Sequence, residues 1–267
     1  QEPFKPRIIV DRPFPAIVNP ATVQTDETDT LLRDEELIIG VTIAGQSRAY
    51  PVNMLTRPHR EIFNDTLGGR AIVVTWCHLC HNAIVYDAQA DGQKLTFVVS
   101  GMLWKHNLVM RDVETQSLWS HMLGKAMDGP LKGTPLKLMP SVLTTWQAWH
   151  PMHPETTAVA LDRSGRSLLT YKSMPMAKFV FDRESTALWI YNRNVDGKVL
   201  LFEQSGTTVK DRETASVWDP VKGQAVEGLQ QGKKLKPLVG IVAYRRAWRD
   251  FHPDSSYWEA EPPQRQP

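Results

Sequence analysis

The chain has 267 residues, of which 42% are hydrophobic and 22% are charged, and its formal net charge is +2. This length is enough for one large domain or two smaller ones, each with a buried core. The charge is balanced and no block of Lys or Arg occurs, so neither nucleic acid nor an acidic membrane surface is a predicted partner. No apolar run approaches the roughly 18 residues of a membrane-spanning helix, so no membrane span is predicted.

The beginning of the chain indicates an exported protein, and its cysteine content fits that interpretation. The sequence starts at Gln1 without an initiator methionine, as expected of a mature protein whose signal peptide has been removed. We therefore expect a periplasmic or extracellular location. The only cysteines are Cys77 and Cys80, and because one close pair does not build a disulfide scaffold, a chemical role is predicted for them.

The pattern along the chain predicts a mainly-β protein with a few short helices. Residues 1–36 are rich in Pro and acidic residues and predict an extended arm that lies on the body of the protein. The segments 37–43 and 47–52, on either side of a turn at 44–46, predict a hairpin. Further strands are predicted at 62–65, 71–76, 83–86 and 95–99, and short helices at 144–149 and 244–248.

The second half of the chain repeats the first half at two fixed offsets. Asp91-Gly92 recurs 105 residues later as Asp196-Gly197, and neighbouring motifs recur at the same offset. A longer series, from Asp112 to His153-Pro154, recurs 99 residues later. We predict two tandem homologous β modules that arose by internal duplication. The predicted divisions are an arm at 1–36, a first module at 37–157, a second module at 158–260 and a disordered tail at 261–267.

Comparison of the two modules separates residues needed for folding from residues that carry function. Residues present in both modules are expected to serve folding, since both modules must fold but only one must act. They include three pairs, Trp119 with Trp218, Trp149 with Trp248, and His153 with His252. The tryptophans are expected in the core, and the histidines are expected to be capping or hydrogen-bonded core residues. Function is therefore expected where the modules differ.

The differences concentrate in the first module. The positions that correspond to its Cys-x-x-Cys-His segment hold no sulfur or imidazole in the second module, where they are Asp182, Ser185 and Thr186. The fall in offset from 105 to 99 means that the first module has 6 additional residues, which lie within 102–111. His121 is also found only in the first module, because the corresponding residue of the second module is Pro220. The special chemistry is therefore expected in the first module.

Several motifs of the chain resemble one known family. They are Tyr50-Pro51, Glu61-Ile62-Phe63-Asn64-Asp65, Gly68-Gly69, Val74-Thr75-Trp76-Cys77-x-Leu79-Cys80, Ser100-Gly101, Asn107-Leu108-Val109-Met110, Glu114-Thr115 and Ser117-Leu118-Trp119-Ser120. From about Leu37 to the C-terminus the chain resembles the bacterial and archaeal family catalogued as domain of unknown function 3179. The resemblance implies no particular activity.

The resemblance implies that four histidines depart from the family pattern. Position 78 is typically Pro in the family and position 81 is commonly Gly or Asn. Position 106 is typically small and polar, and position 121 is often Gln. In this chain all four positions hold His. Four imidazoles gained around one Cys-x-x-Cys pair indicate a site adapted to hold a metal.

The first interpretation is a monohaem c-type protein, because Cys77-x-x-Cys80-His81 matches the haem c attachment signature. In such a site two thiols bond the porphyrin and the adjacent imidazole is the proximal iron ligand. Trp76 and Trp104 are expected to form the walls of the pocket, and the distal ligand is expected among His106, Met110, Met102 and His121. The predicted function is extracytoplasmic electron transfer or oxidoreduction. The familiar motif opens a helix, however, whereas this one lies between predicted strands.

Three other interpretations use the same residues. Two thiolates, nearby thioethers and up to four imidazoles suit copper in either oxidation state; the imidazoles are His78, His81, His106 and His121. A copper-binding or copper-delivery protein is therefore the second interpretation, and zinc can use the same donor types. Cys77 and Cys80 can also form a thiol–disulfide redox pair, or a buried pair that only tightens a turn. The expected partner is a redox protein or a small molecule.

Overall fold

The computed structural model describes residues 3–24, 31–56, 59–161, 190–205 and 208–256. In this part of the chain strands dominate and helices are short, which confirms the predicted mainly-β class. Four predicted features lie outside the described residues, namely Asp182, Ser185, Thr186 and the tail at 261–267.

The strands are numbered here in chain order. The first sixteen are β1 (Arg7–Ile8), β2 (Ile17–Val18), β3 (Thr22–Val23), β4 (Leu37–Ile43), β5 (Gln46–Pro51), β6 (Ile62–Leu67), β7 (Arg70–Cys77), β8 (Asn82–Asp87), β9 (Gln89–Ala90), β10 (Gln93–Lys94), β11 (Phe97–Trp104), β12 (Asn107–Asp112), β13 (Leu118–Ser120), β14 (Lys125–Asp128), β15 (Val142–Thr145) and β16 (Thr157–Val159). The later strands are β17 (Tyr191–Asn192), β18 (Asn194–Val195), β19 (Lys198–Val199), β20 (Phe202–Ser205), β21 (Thr208–Asp211), β22 (Val217–Asp219), β23 (Gln224–Glu227) and β24 (Lys236–Pro237). The helical segments are α1 (Val52–Leu55), α2 (Trp146–Trp149), a 3₁₀ helix (His150–Met152) and α3 (Arg245–Phe251).

The larger sheets are mostly antiparallel. The cysteine sheet has the strand order β2-β6-β7-β8, and the N-terminal sheet has the order β15-β4-β5-β16-β3. The first meander sheet has the order β1-β11-β12-β13-β14, and the second meander sheet has the order β20-β21-β22-β23. Only short contacts are parallel in these sheets, and they join β2 to β6 and β5 to β16. Three two-stranded pairs complete the described part, β9 with β10, β17 with β24, and β18 with β19.

The predicted hairpin at 37–52 is confirmed, because β4 and β5 pair along their whole length. Ala44 and Gly45 connect them with φ values of 49° and 81°, which is the geometry of a two-residue type I′ turn. The strands predicted at 62–65, 71–76 and 83–86 are also present, each slightly longer than predicted. The strand predicted at 95–99 begins later, at Phe97.

The predicted helices are correct in place but wrong in their bounds. Thr144 and Thr145 belong to β15, where they pair with β4, so α2 begins only at Trp146. The later helix, α3, begins at Arg245 and continues to Phe251, beyond the predicted end at 248. Local composition did not indicate either boundary, because sheet pairing and core packing determine them.

The two meander sheets share a detailed pattern of contacts. In the first sheet the indole Nε1 of Trp119 donates to Asp112 at 2.8 Å, and in the second Trp218 donates to Asp211 at 2.9 Å. Each indole meets a phenylalanine ring edge to face, with 5.5 Å between centroids. Both sheets also carry a register shift directly before this tryptophan. The tryptophans therefore fix the same turn and strand geometry in both places.

The histidines shared by the two halves have unequal environments. His153 stacks on Trp149 at 3.7 Å between centroids, and its Nδ1 lies 3.1 Å from the hydroxyl of Ser47. His252 stacks on Trp248 at 4.1 Å, but its buried Nε2 has no partner among the described residues. His153 and His252 are also the C-cap residues of the 3₁₀ helix and of α3, so the expected capping role is confirmed for both, whereas a side-chain hydrogen bond is found only for His153 among the described residues.

The first meander sheet has a longer central hairpin than the second. β11 and β12 pair as far as Trp104 opposite Asn107, whereas β20 and β21 stop at Ser205 opposite Thr208. The additional residues within 102–111 therefore extend a hairpin and do not form a separate loop. The extension carries its turn, Lys105-His106, towards the cysteine sheet.

The two cysteines and the tryptophan before them face different parts of the core. Cys77 and Cys80 belong to a hydrophobic cluster, here called the thiol cluster, that is built mainly on the first meander sheet. Trp76 belongs to a second cluster, which packs between the cysteine and N-terminal sheets. Side chains alternate across a strand, so β7 sends Trp76 into one cluster and Cys77 into the other.

The sequence predicts no membrane-spanning helix. In the described part of the chain, no helix is long and apolar enough to cross a membrane.

A Gly40→Ala substitution should destabilise the protein, because a β-carbon at this position would lie 2.3 Å from Cζ3 of Trp149. We expect the free energy of unfolding to fall by about 1–3 kcal/mol, as is usual for overpacking, measured by urea denaturation. In a Trp149→Leu background the same substitution should cost less, since the ring that it meets is gone. An equal cost in both backgrounds would contradict this close packing.

Candidate redox site

The two cysteines lie at the end of a β-hairpin. β7 ends at Cys77, β8 begins at Asn82, and the main-chain N–H of Cys80 donates to the carbonyl of Cys77 at 3.3 Å. Residues joined by such an i to i+3 bond have Cα atoms within about 7 Å. A disulfide spans Cα separations of about 4.4–6.8 Å. The turn therefore holds the two residues at a distance that a disulfide can bridge.

Residues of the β11–β12 hairpin surround both sulfur atoms. The main-chain N–H of Leu108 lies near Cys77, and the two thiols lie close enough to each other to raise the pKa of Cys77. The thiol of Cys80 in turn donates to the carbonyl of His106 at 2.9 Å. Both outer partners belong to the extended β11–β12 hairpin. Residues private to the first half of the chain therefore hold the thiols.

Burial keeps Cys77 in its neutral thiol form. Cys77 and Cys80 are both free and only 1% and 4% exposed. Burial raises the pKa of Cys77 well above its ordinary value, and its thiol contact to Cys80 and the charges of Cys80 and Glu61 act in the same direction. The N–H of Leu108 opposes them by stabilising a thiolate. Cys77 is therefore a protonated thiol at neutral pH.

His81 lies at the rim of this site and contacts the C-terminal helix. Its ring stacks on Trp76 at 5.7 Å and meets the ring of Tyr244 at 5.1 Å. The Tyr244 hydroxyl lies 2.7 Å from Nδ1 of His81. Burial lowers the pKa of His81, and the charge of His78 lowers it further. Burial also raises the pKa of Tyr244, with a contribution from Cys80. We assign a neutral imidazole and a neutral phenol to this pair.

His121 is fully buried and both of its ring nitrogens have protein partners. Nε2 lies 2.6 Å from the hydroxyl of Thr75, and Nδ1 lies 3.1 Å from Oδ1 of Asn107. The Tyr86 hydroxyl donates to its carbonyl at 2.6 Å. Burial lowers the pKa of His121 to about 3, so the ring is neutral at physiological pH. The imidazole joins β7 to β12, and both of its ring nitrogens face protein groups rather than the thiols.

His78 and Glu61 form a separate pair beside the turn. A carboxylate oxygen of Glu61 lies 2.6 Å from Nδ1 of His78 and accepts the main-chain N–H of the same residue at 2.8 Å. Glu61 is 4% exposed, whereas the His78 side chain is 28% exposed. The pair fixes the loop between the cysteines and directs this imidazole to the surface.

The remaining predicted ligands occupy different positions around the thiols. His106 has an exposed side chain, and only its carbonyl contacts Cys80. Met110 is fully buried in the thiol cluster, and Met102 packs against that cluster. Trp104 is buried in the same cluster, where it meets Phe251 edge to face. Trp104 and both methionines therefore belong to the surroundings of the thiols, whereas Trp76 packs in the other cluster.

The structure brings the sulfur-containing residues together but separates the imidazoles. Among the residues that the structure describes, no group of three or more His, Cys, Asp or Glu side chains is placed to hold a metal ion. Each inward-facing histidine is bonded to another residue, His81 to Tyr244 and His121 to Thr75 and Asn107. The arrangement supports chemistry of the two thiols with each other.

Sequence reasoning missed three residues of this site. Tyr244 contacts His81 from a helix far along the chain, Leu108 acts through its main chain, and Glu61 pairs with His78. The comparison of the two halves held a signal for Tyr244, because at the offset of 99 it corresponds to Thr145. No sequence signal identifies a main-chain donor such as that of Leu108.

One comparison with known proteins gives a match. A family model described as "Protein of unknown function (DUF3179)" matches residues 12–196 of the chain, which is more than half of its length and includes both cysteines. This match confirms the resemblance that the motifs indicated. No curated protein and no solved structure matches the chain.

The stability of the protein should depend on His121 below neutral pH. The folded-state pKa is about 3, below the ordinary value of 6.5, so between these values the unfolded state binds the proton more readily. The contribution to stability is therefore complete above pH 6.5 and is lost as pH falls towards 3, by up to about 1.4 kcal/mol per pH unit.

A His121→Gln variant tests this dependence, because glutamine can bond to Thr75 and Asn107 without titrating. Urea denaturation between pH 7 and pH 4 should show a smaller loss of stability in the variant than in the wild-type protein. Parallel curves for the two proteins would contradict a buried neutral imidazole.

Proposed function

The chain belongs to this family of unknown function, and from its own residues we propose that it is a thiol-based redox protein. Cys77 and Cys80 would interconvert between a dithiol and a disulfide. The observation that carries the proposal is a closed four-residue turn that holds two free, buried thiols in one hydrophobic cluster. The turn keeps the two sulfurs close enough for one to attack a mixed disulfide formed on the other.

The apolar surroundings favour this chemistry because both of its end states are neutral. Burying a charged group without a partner is costly, whereas a dithiol and a disulfide carry no charge. The raised pKa of Cys77 shows the same preference, since burial disfavours its thiolate. The reaction is therefore slow unless a sulfur becomes accessible, and Cys80 is the more exposed of the two.

The redox step is an exchange with another disulfide. One thiol attacks the disulfide of a small molecule or partner protein, which releases one partner thiol and leaves a mixed disulfide. The second thiol then attacks the mixed disulfide and releases the other partner sulfur as a thiol. Two S–H bonds and one S–S bond of the reactants become one S–S bond in this chain and two S–H bonds in the partner.

Haem c stays a prediction from the sequence, and the packing of the thiols supports it less well. A porphyrin would need to reach both sulfurs and the iron would need His81, whereas the sulfurs lie inside the thiol cluster and Nδ1 of His81 bonds to Tyr244. The residues as packed do not fit this group. If haem were bound, it would supply one-electron transfer.

Copper is the second candidate, because the site places two sulfurs in contact with two thioethers nearby. Soft thiolate and thioether ligands select Cu(I), and Met110 and Met102 belong to the surroundings of the thiols. Copper binding would require both thiols to lose their protons in an apolar environment. Among the described residues, the N–H of Leu108 favours a charged Cys77.

The organisation of the chain is part of the proposal. We propose that the two meander sheets descend from one duplicated module, and their equal register shifts and indole–carboxylate bonds support this. The first module, at 37–157, would carry the redox site, and the second module, at 158–260, would have a structural role. We also propose a periplasmic or extracellular location, where a disulfide would persist, with a redox protein or small molecule as partner.

Equilibration in glutathione redox buffers should reveal one intramolecular disulfide. As the buffer becomes more oxidising, alkylation and intact mass should show both thiols of the wild-type protein disappearing together, because they form one bond. Cys77→Ser and Cys80→Ser variants, each a near-isosteric change, should give at most a mixed disulfide with glutathione. Alkylation of both thiols in every buffer, including the most oxidising one, would contradict the proposal.

An anaerobic Cu(I) titration tests the second candidate. The copper alternative predicts one ion per chain in the reduced wild-type protein and loss of binding in both serine variants, since both sulfurs are required. The affinity is measured by competition with a chromogenic Cu(I) chelator. Equal binding by the wild-type and serine variants would eliminate copper as the ligand of this site.

A further inference from the structure

The helix α3 and the residues before it pack on the thiol cluster, beside the turn that holds the cysteines. Ala243, Ala247 and Phe251 are buried in the same cluster as the two thiols. The segment before the helix joins the cysteine sheet through a bridge between Ala83 and Val242. An element from the far end of the chain therefore closes a site that is formed by residues 77–108.

Two polar contacts hold this helix at its ends. At the beginning of the helix the Tyr244 hydroxyl bonds to Nδ1 of His81 at 2.7 Å. At the other end the ammonium of Lys105 donates to the carbonyl of Asp250 at 2.6 Å and lies over the rings of Trp104 and Phe251. These two contacts are here called the latches.

Both latches attach to residues that also position the thiols. His81 directly follows Cys80, and Lys105 directly precedes His106, whose carbonyl accepts the Cys80 thiol. Movement of the helix would therefore release both the covering residues and the turn that fixes Cys80.

We propose that α3 is a lid whose opening gives an external disulfide access to Cys80. In the closed state Cys80 is 4% exposed, which leaves no room for the in-line approach of a third sulfur that disulfide exchange requires. The lid determines the rate of exchange, and the packing beneath it determines which redox state is stable. This inference rests on the proposed function in one respect, namely that the reagent that reaches Cys80 is a disulfide.

The rate of alkylation of the reduced protein by N-ethylmaleimide tests the lid. Tyr244→Phe removes one latch but retains the ring, and Lys105→Met removes the other but retains the apolar stem. Each variant should accelerate labelling of Cys80 about fivefold, and the double variant about 25-fold. Opening of the lid then breaks one or two fewer hydrogen bonds, each of which stabilises the closed state by about 1 kcal/mol. Peptide mapping by mass spectrometry locates the label.

Tyr191→Phe is the matched control, because its hydroxyl donates to the carbonyl of Val221 in the second half of the chain, away from the thiols. The control should label at the wild-type rate. Unchanged labelling in both latch variants, or equal acceleration in the control, would overturn the lid. Because the assay uses reduced protein and a maleimide, its result is independent of whether a disulfide forms in glutathione buffers, so failure of the lid and failure of the redox function are distinguishable.

Discussion

The β11–β12 hairpin holds the candidate site together, because its main chain contacts the thiols. The Cys80 thiol donates to the carbonyl of His106, and the N–H of Leu108 lies near Cys77. These groups meet where β11–β12 reaches the turn after β7. The β20–β21 hairpin of the second meander sheet is shorter and ends at Ser205 opposite Thr208. The site therefore depends on the length of the β11–β12 hairpin.

The burial that protects the thiols also explains the roles of the histidines. Inside a packed protein an imidazole needs partners for its nitrogens, and His121 finds them in Thr75 and Asn107. His81 bonds to Tyr244, and the partly exposed His78 bonds to Glu61. The imidazoles therefore stabilise the walls, turn and cover of the site. This leaves the two sulfur atoms as the reactive groups in the function that we propose.

Much of the fold could be predicted from the sequence, because alternating apolar residues and Gly-containing turns are local signals. They predicted the β4–β5 hairpin and the strands on both sides of the cysteines. The length of the segment 102–111 was also visible, and the hairpin that contains it lies beside the thiols. The positions of the imidazoles could not be predicted in this way. Their partners, such as Thr75 for His121 and Tyr244 for His81, are distant in sequence and become neighbours only through sheet packing.

Intact-protein mass spectrometry of the protein isolated from its own host, before and after reduction, tests the thiol pair most directly. We expect the unreduced protein to contain a fraction lighter by two hydrogen atoms, and that fraction should disappear on reduction because a Cys77–Cys80 disulfide has opened. A mass increase of one porphyrin that survives denaturation, or identical masses before and after reduction, would contradict a dithiol–disulfide centre.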